Sequence, residues 1–257
     1  MKYSYHTHTA RCHHARGTEE EYILKAITED VKVLGFSDHA PMPYRDGYIS
    51  HYKMLPEEIS DYFSVLLSLK EKYADKIEIK IGFETEYYAY MWQDCLEFWK
   101  PYPVDYLILG QHFAPDERGA YVARPATTDV TLLKDYTDAI IAGMNTGIIT
   151  YVAHPDIINF VGSESVFLSE MERIIKEAVR LDMPIEYNLL GKTLDRNYPT
   201  DSFWRLAADF PVRVILGCDS HAPKRVVDRE EVEAAEKYLA TLGIKPIDEV
   251  ELKKVLI

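Results

Sequence analysis

Seven short apolar runs, each followed by polar residues or a helical pattern, constrain this chain more than any other feature. They cover 2–8, 31–39, 77–84, 104–112, 148–154, 183–188 and 212–219. Several are almost continuously apolar, as strands buried on both faces are. Between them, 18–29 opens with a capping box of Thr18 and Glu21, and 56–73 opens with Pro56 and two acids. The stretches 132–147, 170–182 and 229–243 repeat the helical theme. Strands alternating with helices predict a parallel sheet covered by helices, either an open doubly wound sheet or a closed barrel. A chain of 257 residues suits one α/β barrel domain over 1–257 with a full core.

The ends of the runs separate the two architectures. The first run ends in His6 and His8, the second in Asp38 and His39, and the third in Glu84. The fourth ends in His112, the fifth in His154, and the seventh in Asp219 and His221; the sixth ends more weakly, in Asn188. In a barrel the carboxyl ends of all strands meet on one face, which carries the active site. An open sheet would spread most of them too far apart. The pattern therefore predicts a closed or nearly closed barrel of seven strands around a polynuclear metal centre. Residues i and i+2 of a strand share a face, so His6 projects with His8 and Asp219 with His221. His14 follows within reach, and a carboxylate such as Glu84 can bridge two ions. Imidazole and carboxylate without thiolate suit Zn, Mn or Fe. Taken singly each residue has a plainer reading, Asp219 as a helix cap for example; the conjunction carries the inference. His13 and His51 are not at strand ends and are read as non-ligands.

A net charge of −13 argues against a general affinity for nucleic acid or an anionic membrane, and leaves an anionic small substrate open. Cys12, Cys95 and Cys218 are widely spaced without CxxC, which suits a reducing compartment. With neither a secretory pattern nor an apolar run approaching ~18 residues, a cytoplasmic location is expected.

These motifs resemble those of the polymerase-and-histidinol-phosphatase (PHP) superfamily over nearly the whole chain. The matching positions are His6-Thr7-His8 with His14, Asp38-His39, Glu84 in Gly-Phe-Glu, His112 in GQHF, His154 in AHPD, and Asp219-Ser220-His221 in GCDSHAP. The resemblance implies a distorted (β/α)7, TIM-like barrel holding two to three divalent ions at the carboxyl ends of its strands. It assigns His6, His8, Glu84 and Asp219 to one ion. Glu84, His112 and His154 go to a second, and His14, His39 and His221 to a third. Length and block spacing look like the stand-alone histidinol-phosphate phosphatases. The implied activity is hydrolysis of a small phosphorylated metabolite, L-histidinol phosphate, in histidine biosynthesis. A hydroxide bridging the first two ions would attack phosphorus, with Glu84, Asp219 and His221 as catalytic residues. The cations near the motifs are Arg16, Arg45, Arg124, Lys192, Arg196, Lys224 and Arg225. Arg16 and Arg196 are favoured for phosphate because arginine offers a bidentate fork. Tyr87, Tyr88 and Tyr90 are candidates for a pocket wall, Glu86 for a substrate ammonium, and Cys12 and Cys218 for small buried residues. Two alternatives stay open: a phosphoesterase for another small phosphate such as a nucleotide or sugar phosphate, and a non-catalytic metal-binding module. Oligomeric state is not legible.

Overall fold

The structure, a computed structural model, describes residues 1–255. In chain order the strands are β1 Tyr3–Ser4, β2 Val33–His39, β3 Glu78–Thr85, β4 Tyr106–Leu109, β5 Phe113–Ala114, β6 Ala120–Tyr121, β7 Ile149–Val152, β8 Ile185–Asn188 and β9 Val214–Gly217. The helices are α1 Glu19–Thr28, α2 Ile59–Lys72, α3 Trp92–Trp99, α4 Val130–Met144, α5 Glu164–Arg180, α6 Leu189–Thr193, α7 Asp201–Ala207 and α8 Arg229–Thr241. One parallel sheet runs β1-β2-β3-β4-β7-β8-β9, and β5 and β6 form a separate antiparallel hairpin. Past the ends of β1 and β9, Thr7 bridges Ser220 in parallel. There the His8 N–H donates to the Ser220 carbonyl at 2.9 Å and the Ser220 N–H to the His6 carbonyl at 3.1 Å. The expected seven-stranded (β/α) barrel is thus nearly closed, and its seam lies at the carboxyl ends of the strands.

Local chemistry sets the element ends. The Thr18–Glu21 capping box forms as read from the sequence, and Asp129 caps α4 by accepting from the N–H groups of Thr131 and Leu132. α5 begins at Glu164, earlier than the expected 170, because the apolar side chains Phe167 and Met171 already face the core. The expected strand 104–112 stops at Leu109, and the chain leaves the sheet before His112. The β5–β6 hairpin, α3, α6 and α7 were not anticipated.

The barrel interior is filled by Tyr5, Tyr106, Ile108, Tyr151 and Ile215, and the Tyr106 hydroxyl donates to the Tyr5 carbonyl at 2.6 Å. A second core fills the space between sheet and helices, with Trp99, Trp204, Phe83 and Tyr136 fully buried. Burying each such Leu, Ile or Phe side chain stabilises the fold by ~1.5–3 kcal/mol. The register between β2 and β3 pairs His39 with Glu84, so packing below fixes which side chains meet above. Among the described residues no helix is long and apolar enough to cross a membrane.

Candidate metal centre

Nine side chains singled out in the sequence converge at the carboxyl ends of the strands: His6, His8, His14, His39, Glu84, His112, His154, Asp219 and His221. Glu84, at the end of β3, sits among them. Its Oε1 lies 2.8 Å from His154 Nε2 and 3.6 Å from His112 Nε2. Its Oε2 lies 3.0 Å from His39 Nδ1 and 3.5 Å from the Nε2 atoms of both His6 and His8. Asp219 Oδ1 is 3.2 Å from His8 Nε2, 3.6 Å from His6 Nε2 and 3.2 Å from His221 Nδ1. Asp219 is therefore turned into the cluster and is not the cap of the turn that follows, which starts after Ala222. His14 stacks on His221 at 4.8 Å between ring centroids, and its Nδ1 faces the Cys12 carbonyl at 2.6 Å.

Candidate donor atoms come within 4.8 Å of one another in the groups His6–His8–Asp219, His6–Glu84–His154, His8–His39–Glu84 and His14–His39–His221. A further group joins Cys12 to His8 and His221. His112 belongs to none of these groups; it reaches the cluster through Glu84. The buried Nε2 atoms of His6 and His8 and the buried Oε2 of Glu84 have no hydrogen-bond partner among the described residues. Buried polar atoms are nearly always satisfied, so donors left bare and aimed at one another fit a set of cations between them.

The electrostatics divide the cluster. Burial disfavours ionisation of Glu84, but His112, His39 and His6 outweigh it and hold the carboxyl well below its usual range. Burial likewise opposes ionisation of Asp219, and His6 and His221 overcome it. Burial disfavours the His6 cation, yet Glu186, Asp219 and Glu84 raise its pKa to about 10. On the other side burial, His221 and His8 push His14 down to about 4. Burial also drives His39 well below the ordinary imidazole range, against the attraction of Glu84. One side of the site is thus rich in carboxylate and the other in neutral imidazole, both metal-binding forms, while His6 must give up its proton to a metal that binds there.

Supporting residues fix these orientations. His6 Nδ1 lies 2.7 Å from Glu186 Oε2 and His8 Nδ1 lies 3.3 Å from Asp38 Oδ1, whereas His112 Nδ1, 3.6 Å from Glu86 Oε1, stays beyond hydrogen-bond distance. Asp38 also accepts from the backbone N–H of Thr9 at 3.1 Å and from its hydroxyl. His154 and Asp219 have positive φ, 30° and 47°, a left-handed conformation that non-glycine residues adopt at a cost and that recurs at functional sites. A Cβ at Gly110 would collide with the Glu84 carboxylate, so glycine is what lets Glu84 lie where it does.

The site opens into a cavity of about 820 Å³. His14, His39, His112, Asp219 and His221 line its floor; Tyr48, Tyr52, Phe113 and Tyr121 form an aromatic wall. Tyr52 stacks over His14 at 4.8 Å and His39 at 4.6 Å. Arg16, Arg124, Arg196, Lys224 and Arg225 all border the cavity. Two other cations considered from the sequence do not. Arg45 is paired with Asp94 at 2.5 Å on the surface, and Lys192 lines a separate cleft. Tyr87, Tyr88 and Tyr90 are not wall residues; Tyr88 is buried and its hydroxyl donates to Glu86. Glu86 is not open to a substrate ammonium either, since it is buried and paired with Lys53 Nζ at 2.5 Å. His13 stands apart, 3.6 Å from Glu58, while His51 borders the cavity mouth. Cys12 and Cys218 are buried, as expected.

Glu186, Lys53 and Tyr52 escaped the sequence reading. For Glu186 a signal existed: it stands two residues before Asn188 in an otherwise apolar strand, hence on the same face.

A model of the PHP domain matches residues 4–189. The chain belongs to the PHP family. Among PHP relatives, a Deinococcus radiodurans protein named "Probable histidinol-phosphatase" is 25% identical over 231 residues, covering 86% of each chain. A Schizosaccharomyces pombe protein of the same name is 26% identical over 281 residues, covering 98% of this chain and 90% of its own. The fold matches the crystal structure of histidinol phosphate phosphatase from Lactococcus lactis, complexed with zinc, L-histidinol and phosphate. The TM-score is 0.72 at 18% identity, covering 96% of this chain and 95% of that one.

Proposed function

We propose that this PHP protein is a metal-dependent phosphatase that hydrolyses L-histidinol phosphate to L-histidinol and phosphate. The observation that carries the reading is the nine-residue cluster of imidazoles and carboxylates with bare, mutually facing donor atoms beneath an open cavity. The names of the two curated relatives, and the ligands in the Lactococcus structure, supply the substrate.

In this reading His6, His8, Glu84 and Asp219 hold one divalent ion, Glu84, His112 and His154 a second, and His14, His39 and His221 a third. Zn, Mn and Fe all suit this donor set, and zinc is the ion in the Lactococcus structure. When bound, such ions polarise phosphate oxygens, acidify water and neutralise the charge that develops at phosphorus. The chain's own residues do the rest. Glu84 presents one oxygen to each half of the cluster and keeps both halves in register. Asp219 and His221 tie the ends of the barrel seam to that centre. Glu186 and Asp38 receive the outer nitrogens of His6 and His8 and fix their tautomers. Arg16 and Arg196 grip the phosphate, and the aromatic wall encloses the alcohol portion. Buried free cysteines suit a cytoplasmic enzyme.

The test is turnover of L-histidinol phosphate beside a panel of other monoesters, with defined metals and elemental analysis of the gently purified protein. The reading expects two to three ions per chain and the highest kcat/KM for L-histidinol phosphate. A low relative rate on that ester would overturn the substrate. Fewer than two ions per chain would overturn the polynuclear site.

A further inference from the structure

Arg16, Arg124, Arg196 and Arg225 all line the cavity. Every other arginine of the chain holds a carboxylate within 4.0 Å, whereas these four hold none among the described residues. Lys224, which also borders the cavity, is likewise without one. In a chain with 42 acidic residues against 29 basic ones, an exposed arginine readily finds an acid. Arg196 donates to the Tyr198 hydroxyl at 2.7 Å, a neutral partner, so all four guanidinium charges stay unpaired with carboxylate and suit anions that arrive from solution.

They fall into two linked groups. The Arg16 N–H donates to the His221 carbonyl at 2.9 Å, and Gly17 packs on Pro223, which begins the short turn carrying Lys224 and Arg225. In the second group, the Arg124 carbonyl accepts from Asn159 Nδ2 at 2.8 Å, and Asn197, next to Arg196, donates to the Ile157 carbonyl at 2.8 Å. Arg16 and Arg196 are the pair assigned above to the scissile phosphate. Lys224, Arg225 and Arg124 remain. Among the described residues no free acid lines the cavity beside them. Asp219 belongs to the histidine cluster, and Glu117 is engaged by Ser50 at 2.6 Å, Tyr44 at 3.0 Å and Lys53 at 3.3 Å. A cavity of about 820 Å³ is also roomy for one small monoester, near the upper part of the ~300–1,000 Å³ usual for ligand sites.

We propose that the cavity also turns over phosphate monoesters whose alcohol portion carries a second anionic group, a phosphate or a carboxylate, received at the rim by Arg124, Lys224 and Arg225. This rests on the phosphatase reading and extends its substrate range. The reaction is the same hydrolysis. Water oxygen bonds to phosphorus, the ester P–O bond breaks, the alcohol oxygen leaves with a proton, and the second anion stays on the product.

Matched pairs test it: glycerol 3-phosphate against 3-phosphoglycerate, and fructose 6-phosphate against fructose 1,6-bisphosphate, with L-histidinol phosphate as reference. The metal-loaded enzyme is expected to favour the second-anion member of each pair by roughly tenfold in kcat/KM, the scale of one charge-assisted hydrogen bond. Several-fold preference should survive at about 1 M salt, where the screening length is ~3 Å. Arg124→Gln, Lys224→Gln and Arg225→Gln should each lower the ratio within a pair, by different amounts for phosphate and carboxylate. Equal kcat/KM within each pair, a preference abolished by salt, or a ratio untouched by all three variants would overturn the second anion position while leaving L-histidinol phosphate turnover intact. Absence of turnover on every ester would instead overturn the phosphatase reading beneath it.

Discussion

Lys53→Met probes the buried ion network that ties the aromatic wall to the metal-type cluster. Lys53 is 1% exposed, with Nζ 2.5 Å from Glu86 Oε1 and 3.3 Å from Glu117 Oε2. It also lies over the rings of Phe113 and Tyr52, at 5.0 and 5.6 Å. Burial disfavours the charge on Glu86, but Lys53 and His112 outweigh it and hold the carboxyl down at about 2. Methionine keeps the volume and removes the charge, so two buried carboxylates lose their common cation. Breaking a buried pair from one side costs ~3–5 kcal/mol. For a chain of this size ~1 kcal/mol moves the melting temperature by about 2–4 °C, so the drop should be roughly 6–20 °C. Thermal unfolding followed by circular dichroism, with and without metal, reads it directly. Glu86→Gln in the Lys53→Met background removes one of the stranded charges and should recover part of the loss, giving a coupling of ~1–3 kcal/mol. A Lys53→Met melting point within about 2 °C of wild type, or penalties that simply add, would refute the reasoning.

Three further outcomes follow from the site. Gly110→Ala should displace the Glu84 carboxylate and lower bound metal, measured by elemental analysis, since its Cβ collides with that group. Glu186→Gln, which weakens the acceptor on His6 Nδ1, should cost ~10–100-fold in metal affinity by chelator competition while the fold persists. Metal-free protein should be most stable near neutral pH. The His14 contribution is present above about 6.5 and lost as pH falls through about 4; the His6 contribution is present below about 6.5 and lost as pH rises through about 10. A melting-temperature profile of the chelated protein that is flat from acid to alkaline pH would contradict this.

The barrel was legible because parallel strands buried on both faces leave unbroken apolar runs, and the site because its side chains stand at the ends of those runs. His39 and Glu84 could each be placed in advance at a strand end, and the register between β2 and β3 sets them side by side. Short elements were not legible. The β5–β6 hairpin has two residues per strand, too few for a period to show, yet Phe113 and Tyr121 from it help to wall the cavity. Glu186 was hidden by the weak residue ending its strand. Lys53 gave no signal along the chain, because its burial depends on Glu86 and Glu117, 33 and 64 positions further on. Arg45 shows the converse: near a motif in sequence, it turns outward to Asp94. Proximity along the chain brought all nine metal-type residues into one cluster and five of the seven cations to the cavity; Arg45 and Lys192 turn elsewhere, since loops, unlike strands, do not fix where a long side chain points.

The most direct test of the central claim is steady-state hydrolysis of L-histidinol phosphate by metal-loaded wild type and by Glu84→Ala, each shown folded by circular dichroism. Glu84 touches both halves of the cluster, through Oε1 to His154 and Oε2 to His39. The account predicts efficient turnover by wild type and loss of at least about a thousandfold in the variant, the scale of removing a group central to charge stabilisation. Unchanged turnover in folded Glu84→Ala would contradict it.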